Sequence, residues 1–127
     1  MDKIKSFKQL KIWQLGIEIV RDIYQITSSF PKEESFGLTS QMRRSAVSIP
    51  TNIAEGFKRL HGKEYRQFLH IALGSAAELE TLLTISRELN LLSESQLITL
   101  TDMTDHVSRM MSSLINKLNY DVRSTLD

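Results

Sequence analysis

The stretch Gln41–Arg59, QMRRSAVSIPTNIAEGFKR, decides the fold. Its apolar residues keep helical time: Met42, Ala46, Ile49, Ile53, Phe57 and, just beyond, Leu60 recur at spacings of three and four. Yet Pro50 stands in the middle and Gly56 near the end. In a helix interior these cost about 3 and 1 kcal/mol respectively. Packing must therefore hold a helix that local propensity disfavours. Pro50 also deprives the Ala46 carbonyl of its usual N–H donor, so a bend or local unwinding is expected there. Ser48, Thr51 and Asn52 lie close enough to help solvate the opened turn.

Outward from that stretch, the second helix is expected from Glu34 or Ser35 to Leu60. The first runs from about Phe7 to Ser28, with Leu10, Trp13, Ile17, Val20 and Tyr24 as its apolar face, widened by Leu15, Ile19, Ile23 and Ile26. Phe30-Pro31 breaks it, because the residue before Pro avoids helical angles. The third, about Lys63–Leu89, carries the cleanest heptad: Tyr65, Leu69, Ala72, Ala76, Leu79, Leu83, Ser86. Asn90 reads as a stop. Ser93 with Gln96 reads as a capping box that opens a fourth helix, which runs to about Tyr120. Its buried side is Leu97, Leu100, Met103, Val107, Met110, Met111, Leu114 and Leu118. Short joints between long helices predict an all-α, antiparallel up-down-up-down four-helix bundle with helix 2 bent at Pro50.

A chain of 127 residues suits one domain over 1–127, with its core at about 7–120 and a frayed tail at 121–127. The absence of Cys excludes disulfides, thiolate metal sites and Cys nucleophiles. No apolar run near the N-terminus resembles a signal peptide, and no stretch approaches about 18 uninterrupted apolar residues. The expectation is a cytoplasmic protein that does not span a membrane.

Helical bundles often hold metals through Glu-x-x-His pairs. The residues three before His61, His70 and His106 are Lys58, Gln67 and Met103, so no such pair exists. Asp102 and His106, spaced i, i+4, read as a solvated ion pair. No phosphate-binding loop, dinucleotide fingerprint or nucleophile elbow is present. No catalytic, cofactor-binding or metal-ligating residue is expected, and hence no enzyme.

Two surface features remain. Ser45, Ser48, Asn52, Gly56 and Arg59 form a small polar stripe beside the core stripe of the second helix. It reads either as a subunit interface or as close packing against a neighbouring helix of the same chain. The second feature is charge. The formal net charge is +1, but residues 41–70 hold Arg43, Arg44, Lys58, Arg59, Lys63 and Arg66 against Glu55 and Glu64, whereas residues 71–127 are net acidic. These six cations are the candidates for holding phosphates without reading bases. An ordinary solvated surface is the alternative. Glu55 and Arg59, spaced i, i+4, are expected to pair.

FKQLKIWQ (Phe7–Gln14), Phe30-Pro31 with Glu33 and Glu34, FGLTSQMRRSAVSIPTNIAEGFKR (Phe36–Arg59) and EYRQFLHIALGSAAELETLL (Glu64–Leu83) together carry a family resemblance. The chain resembles the four-helix-bundle proteins of the intervening sequences in bacterial 23S ribosomal RNA genes, over nearly its whole length. The resemblance implies a homopentamer around a central channel and brings no catalytic activity. A related accessory protein of diversity-generating retroelements looks like the same bundle, binds nucleic acid and works with a reverse transcriptase. The function implied is a non-enzymatic oligomeric accessory factor that engages RNA or DNA. The alternative is a structural or protein–protein interaction module with no nucleic-acid ligand.

Overall fold

The computed structural model describes residues 3–59 and 61–126, and the side chains of 3–59 and 61–119. It holds four α-helices, α1 (Lys11–Thr27), α2 (Leu38–Phe57), α3 (Gly62–Glu88) and α4 (Glu94–Leu126), with no strand among the described residues. Two short 3-10 turns, Phe7–Gln9 and Lys32–Glu34, precede α1 and α2.

The expected first helix is therefore divided. Ser6 and Gln9 cap the 3-10 turn reciprocally, and Leu10 is extended (φ −74°, ψ 129°) before α1 begins. The expected second helix starts later than Glu34 or Ser35, at Leu38. Gly37 (φ −109°, ψ −114°) separates it from the 3-10 turn. Leu60 lies outside the described residues. The stop at Asn90 has a clear geometry. Asn90 takes a left-handed φ of 60°, while Leu91 N–H donates to the Ser86 carbonyl and Asn90 N–H to that of Arg87. This is the Schellman closure. Ser93 and Gln96 then cap α4: Gln96 N–H donates to Ser93 Oγ at 3.0 Å and Ser93 N–H to Gln96 Oε1 at 2.9 Å. α4 continues to Leu126, past the expected end near Tyr120.

Each helix packs on the next, and α1 closes onto α4. Chain order reverses across every seam. On α2 and α3, Met42 meets Ser86, Ser48 meets Ser75, and Gly56 meets Tyr65 and Phe68. On α1 and α2, Thr27 meets Arg43 and Gly16 meets Pro50. On α3 and α4, Arg66 meets Asn119 and Arg87 meets Leu92.

The core follows the expected stripes on α2 and α3. Met42, Ala46, Ile49, Ile53, Leu69, Ala72, Ala76, Leu79, Leu83 and Ser86 are all buried. α3 is apolar and long enough by composition to cross a bilayer. In this fold its apolar stripe is taken up by α2 and α4. α1 differs from expectation. Its innermost face is Ile12, Gly16, Ile19, Ile23 and Thr27, whereas Trp13, Ile17 and Val20 are only half-buried and Tyr24 is exposed. Lys11, Gln14, Glu18, Arg21 and Gln25 line the exposed side of this helix, so the middle of the opposite face is Ile12, Gly16, Ile19 and Ile23, and the expected stripe is one edge of that wide apolar face.

α2 stays helical from one side of Pro50 to the other. The polar neighbours do not reach the Ala46 carbonyl. Thr51 Oγ1 donates to the Val47 carbonyl and Asn52 Nδ2 to that of Ser48. Pro50 is buried against α1, where Gly16 makes room for it: a Cβ on Gly16 would stand 3.1 Å from Pro50 Cβ.

Candidate functional site

The six candidate cations do not form one patch. Arg44 and Lys58 are fourteen residues apart on α2, so helical rise alone separates them by about 21 Å. Arg43 belongs to the α1/α2 seam. Its Nε donates to Thr27 Oγ1 at 2.9 Å, and its guanidinium lies 4.5 Å from the centre of the Tyr24 ring. Arg44 is exposed beside it, within a shallow polar hollow that includes Tyr24, Ser35 and Thr39.

The other four gather at the α2/α3 joint. Arg59 is paired with Glu55, as expected, at 3.6 Å, and sits 5.0 Å from the Phe68 ring centre. Both partners of this ion pair are about half exposed, so it adds little stability. Arg66 donates to the Gly62 carbonyl and to Asn119 Oδ1 on α4. Lys58 and Lys63 are exposed and have no hydrogen bond or ion pair among the described residues.

Reversal of chain order at every seam adds cations that were distant in sequence. The α2/α3 joint, the start of α1 and the far part of α4 lie at the same end of the molecule. Lys58 lines a groove with Phe7 and Trp13, Lys11 lines another with Met110, and Arg66 reaches Asn119. The exposed Lys8, Lys11 and Lys117 thus join Lys58, Lys63 and Arg66. Sequence reasoning missed these three because the grouping depends on topology. The signal that finds them is which helix termini share an end once the joints are short.

The small stripe on α2 faces α3 within the same chain. Ser45 and Gly56 are buried. Ser48 Oγ and Ser75 Oγ are 2.7 Å apart, and Asn52 Nδ2 donates to Ser48 Oγ at 2.9 Å. A Cβ on Gly56 would lie 2.9 Å from both Phe68 Cβ and Tyr65 Cδ1.

Between α1 and α2, an open groove of about 510 Å³ is lined mainly by Phe7, Trp13, Ile17, Val20, Val47 and Pro50, with Lys58 at one end. This is where the side of α1 expected in the core lies.

Among the described residues no three His, Asp or Glu side chains gather to hold a metal ion. Asp102 and His106 do not pair. The ion pair on α4 is Asp105–Arg109, at 3.2 Å. Burial pushes the Tyr65 hydroxyl up to about 12, where its ring meets Phe57 edge-on. Burial, with Asp105 across the α3/α4 seam, raises Glu80.

Residues 8–113 match the family model of the 23S rRNA-intervening sequence protein. In fold the chain is similar to a crystal structure of a protein of unknown function from the S23 ribosomal protein family of Bacteroides thetaiotaomicron. The TM-score is 0.74 at 21% sequence identity, covering 82% of this chain and 97% of that one. No curated protein matches the chain.

Proposed function

The chain belongs to the 23S rRNA-intervening sequence protein family, and from that premise we propose that it is a non-enzymatic, self-assembling bundle that binds nucleic-acid phosphates in the cytoplasm. The observation that carries the reading is the basic end of the molecule. Lys58 and Lys63 stand exposed there with Lys8, Lys11 and Lys117. Point charges on flexible stems hold phosphates without selecting bases. Arg66, tied to Gly62 and Asn119, supports the surface more than it contacts a ligand. Arg43 is spent on Thr27 and Tyr24. Five copies, the number implied by the resemblance, would repeat the basic end and raise effective concentration.

The test is fluorescence anisotropy with a labelled RNA hairpin and a labelled DNA duplex at several salt concentrations. Affinity should fall steeply with salt, with a logarithmic slope of roughly 0.9 per phosphate neutralised on duplex DNA. Replacing Lys8, Lys58 and Lys63 with Ala should weaken binding to both probes and reduce that slope, while helicity by circular dichroism stays unchanged. If the parent binds neither probe at low salt, the nucleic-acid reading fails. The open apolar groove between α1 and α2 then favours the second reading, a protein-interaction module.

A further inference from the structure

We propose that copies of this chain associate head to tail, the outer face of α3 on one copy seating in the α1/α2 groove of the next. The inference rests on the self-assembly part of the reading above and is independent of nucleic acid.

Beside the singly exposed Ile4, Phe36, Leu89 and Ile98, two helix surfaces carry more than one exposed or half-buried apolar side chain. One is the groove, where Trp13, Ile17 and Val20 are half-buried at the edge of the core and Val47 is 39% exposed. The other is on α3, where Ile71 and Ile85 are 52% and 40% exposed. Between them a Cβ added to Gly74 would meet nothing within 4 Å. Ile71 and Ile85 stand two heptads apart on one side of α3, with Gly74, Glu78 and Thr81 between them.

The two features lie on different sides. α1 and α3 make no contact among the described residues. A two-fold pairing of either face with itself would leave the other exposed, whereas a head-to-tail contact covers both. Such contacts close into rings or run into filaments.

Charge and height agree with this docking. The α3 face carries Glu78, and the exposed Arg44 stands on the outer side of α2. Within the chain Ser48 is level with Ser75, and Gly56 with Tyr65 and Phe68. Rotation about an axis along the bundle preserves these levels. A neighbour's Ile71 then arrives beside Pro50 and Ala54 in the groove, and its Glu78 arrives beside Arg44.

The chain has no Cys, which makes cross-linking decisive. Ile17→Cys lies in the groove and Ile71→Cys on α3. They cannot bridge within a chain whose α1 and α3 do not touch. Under mild oxidation the double variant should give a ladder of covalent multimers at multiples of 14.6 kDa on a non-reducing gel, and neither single variant should. As a second measure, Arg44→Glu should dissociate the assembly and adding Glu78→Arg should restore it, read by light scattering.

If the parent is an oligomer but the double-Cys variant forms no ladder, or Ile71→Cys alone gives dimers, the docking is wrong and self-assembly stands. If the parent is a monomer at micromolar concentration, both fall.

Discussion

The two seams that α2 makes are built differently. Against α3 it presents Ser45, Ser48, Asn52 and Gly56, and the gap is closed by a hydroxyl–hydroxyl contact at 2.7 Å and a glycine that admits no Cβ. Against α1 it touches closely where Pro50 meets Gly16 and where Arg43 reaches Thr27, and between and beyond these points the groove opens. Small residues let two backbones approach until nothing is left to fill. Large apolar residues held apart leave a surface that wants filling. The closed seam belongs to the monomer's stability and the open one to whatever covers it.

The comparison breaks most sharply at Gly56. Gly56→Ala should destabilise by about 1–3 kcal/mol, because its Cβ meets Phe68 Cβ and the Tyr65 backbone, not the end of a flexible side chain. The overpacking outweighs the gain of about 1 kcal/mol in helix propensity. Urea unfolding measures this, and a stabilised variant would show that the seam is looser than described. Gly16→Ala comes next. Its nearest neighbour is a rigid ring at 3.1 Å, so a net loss of about 1 kcal/mol is expected after the same propensity gain. Gly74→Ala has the opposite sign. With open space around it, the unfolded chain loses freedom at no native cost and stability should rise by about 0.4–1 kcal/mol. Ile17→Gln, in the open groove, should destabilise dilute protein by about 0.5–1 kcal/mol, since the side chain is half-buried. If its cost grows with protein concentration, the groove is covered in an assembly.

Much of this was legible beforehand, for reasons that differ by helix. On α3 the expected heptad matches the buried face from Leu69 to Ser86, because its outer positions are mostly polar, but Tyr65 is only half-buried and Leu82 is buried beside Leu83. Met42, Ala46, Ile49 and Ile53 fixed the face of α2 despite Pro50. On α1 the expected stripe is one edge of a wide apolar face, because Gly16 at the middle of that face carries no apolar signal. The start of α2 is not legible, because Glu34 and Ser35 are plausible openers and only the backbone at Gly37 shows that the turn before it is separate. Proximity in sequence is a poor guide to the basic residues. A helix of 20 residues carries Arg43 and Lys58 to different ends, while short joints bring Lys8, Lys11 and Lys117 to one of them.

The contact between Gly16 and Pro50 also works as a detent. Were α1 to slide along α2 by one turn, about 5.4 Å, the residue brought opposite the proline ring would be Ile12 or Val20, four positions away on the same side of α1. A branched side chain cannot enter a gap where even one methyl is tight. The other close-fitting glycine, Gly56, sits on the opposite side of α2 and cannot stand in for Gly16. The two helices therefore have one stop position and no neighbouring one. The cost of a proline in mid-helix is offset by a fixed alignment, and a groove walled by Trp13, Ile17 and Val47 keeps one shape from copy to copy.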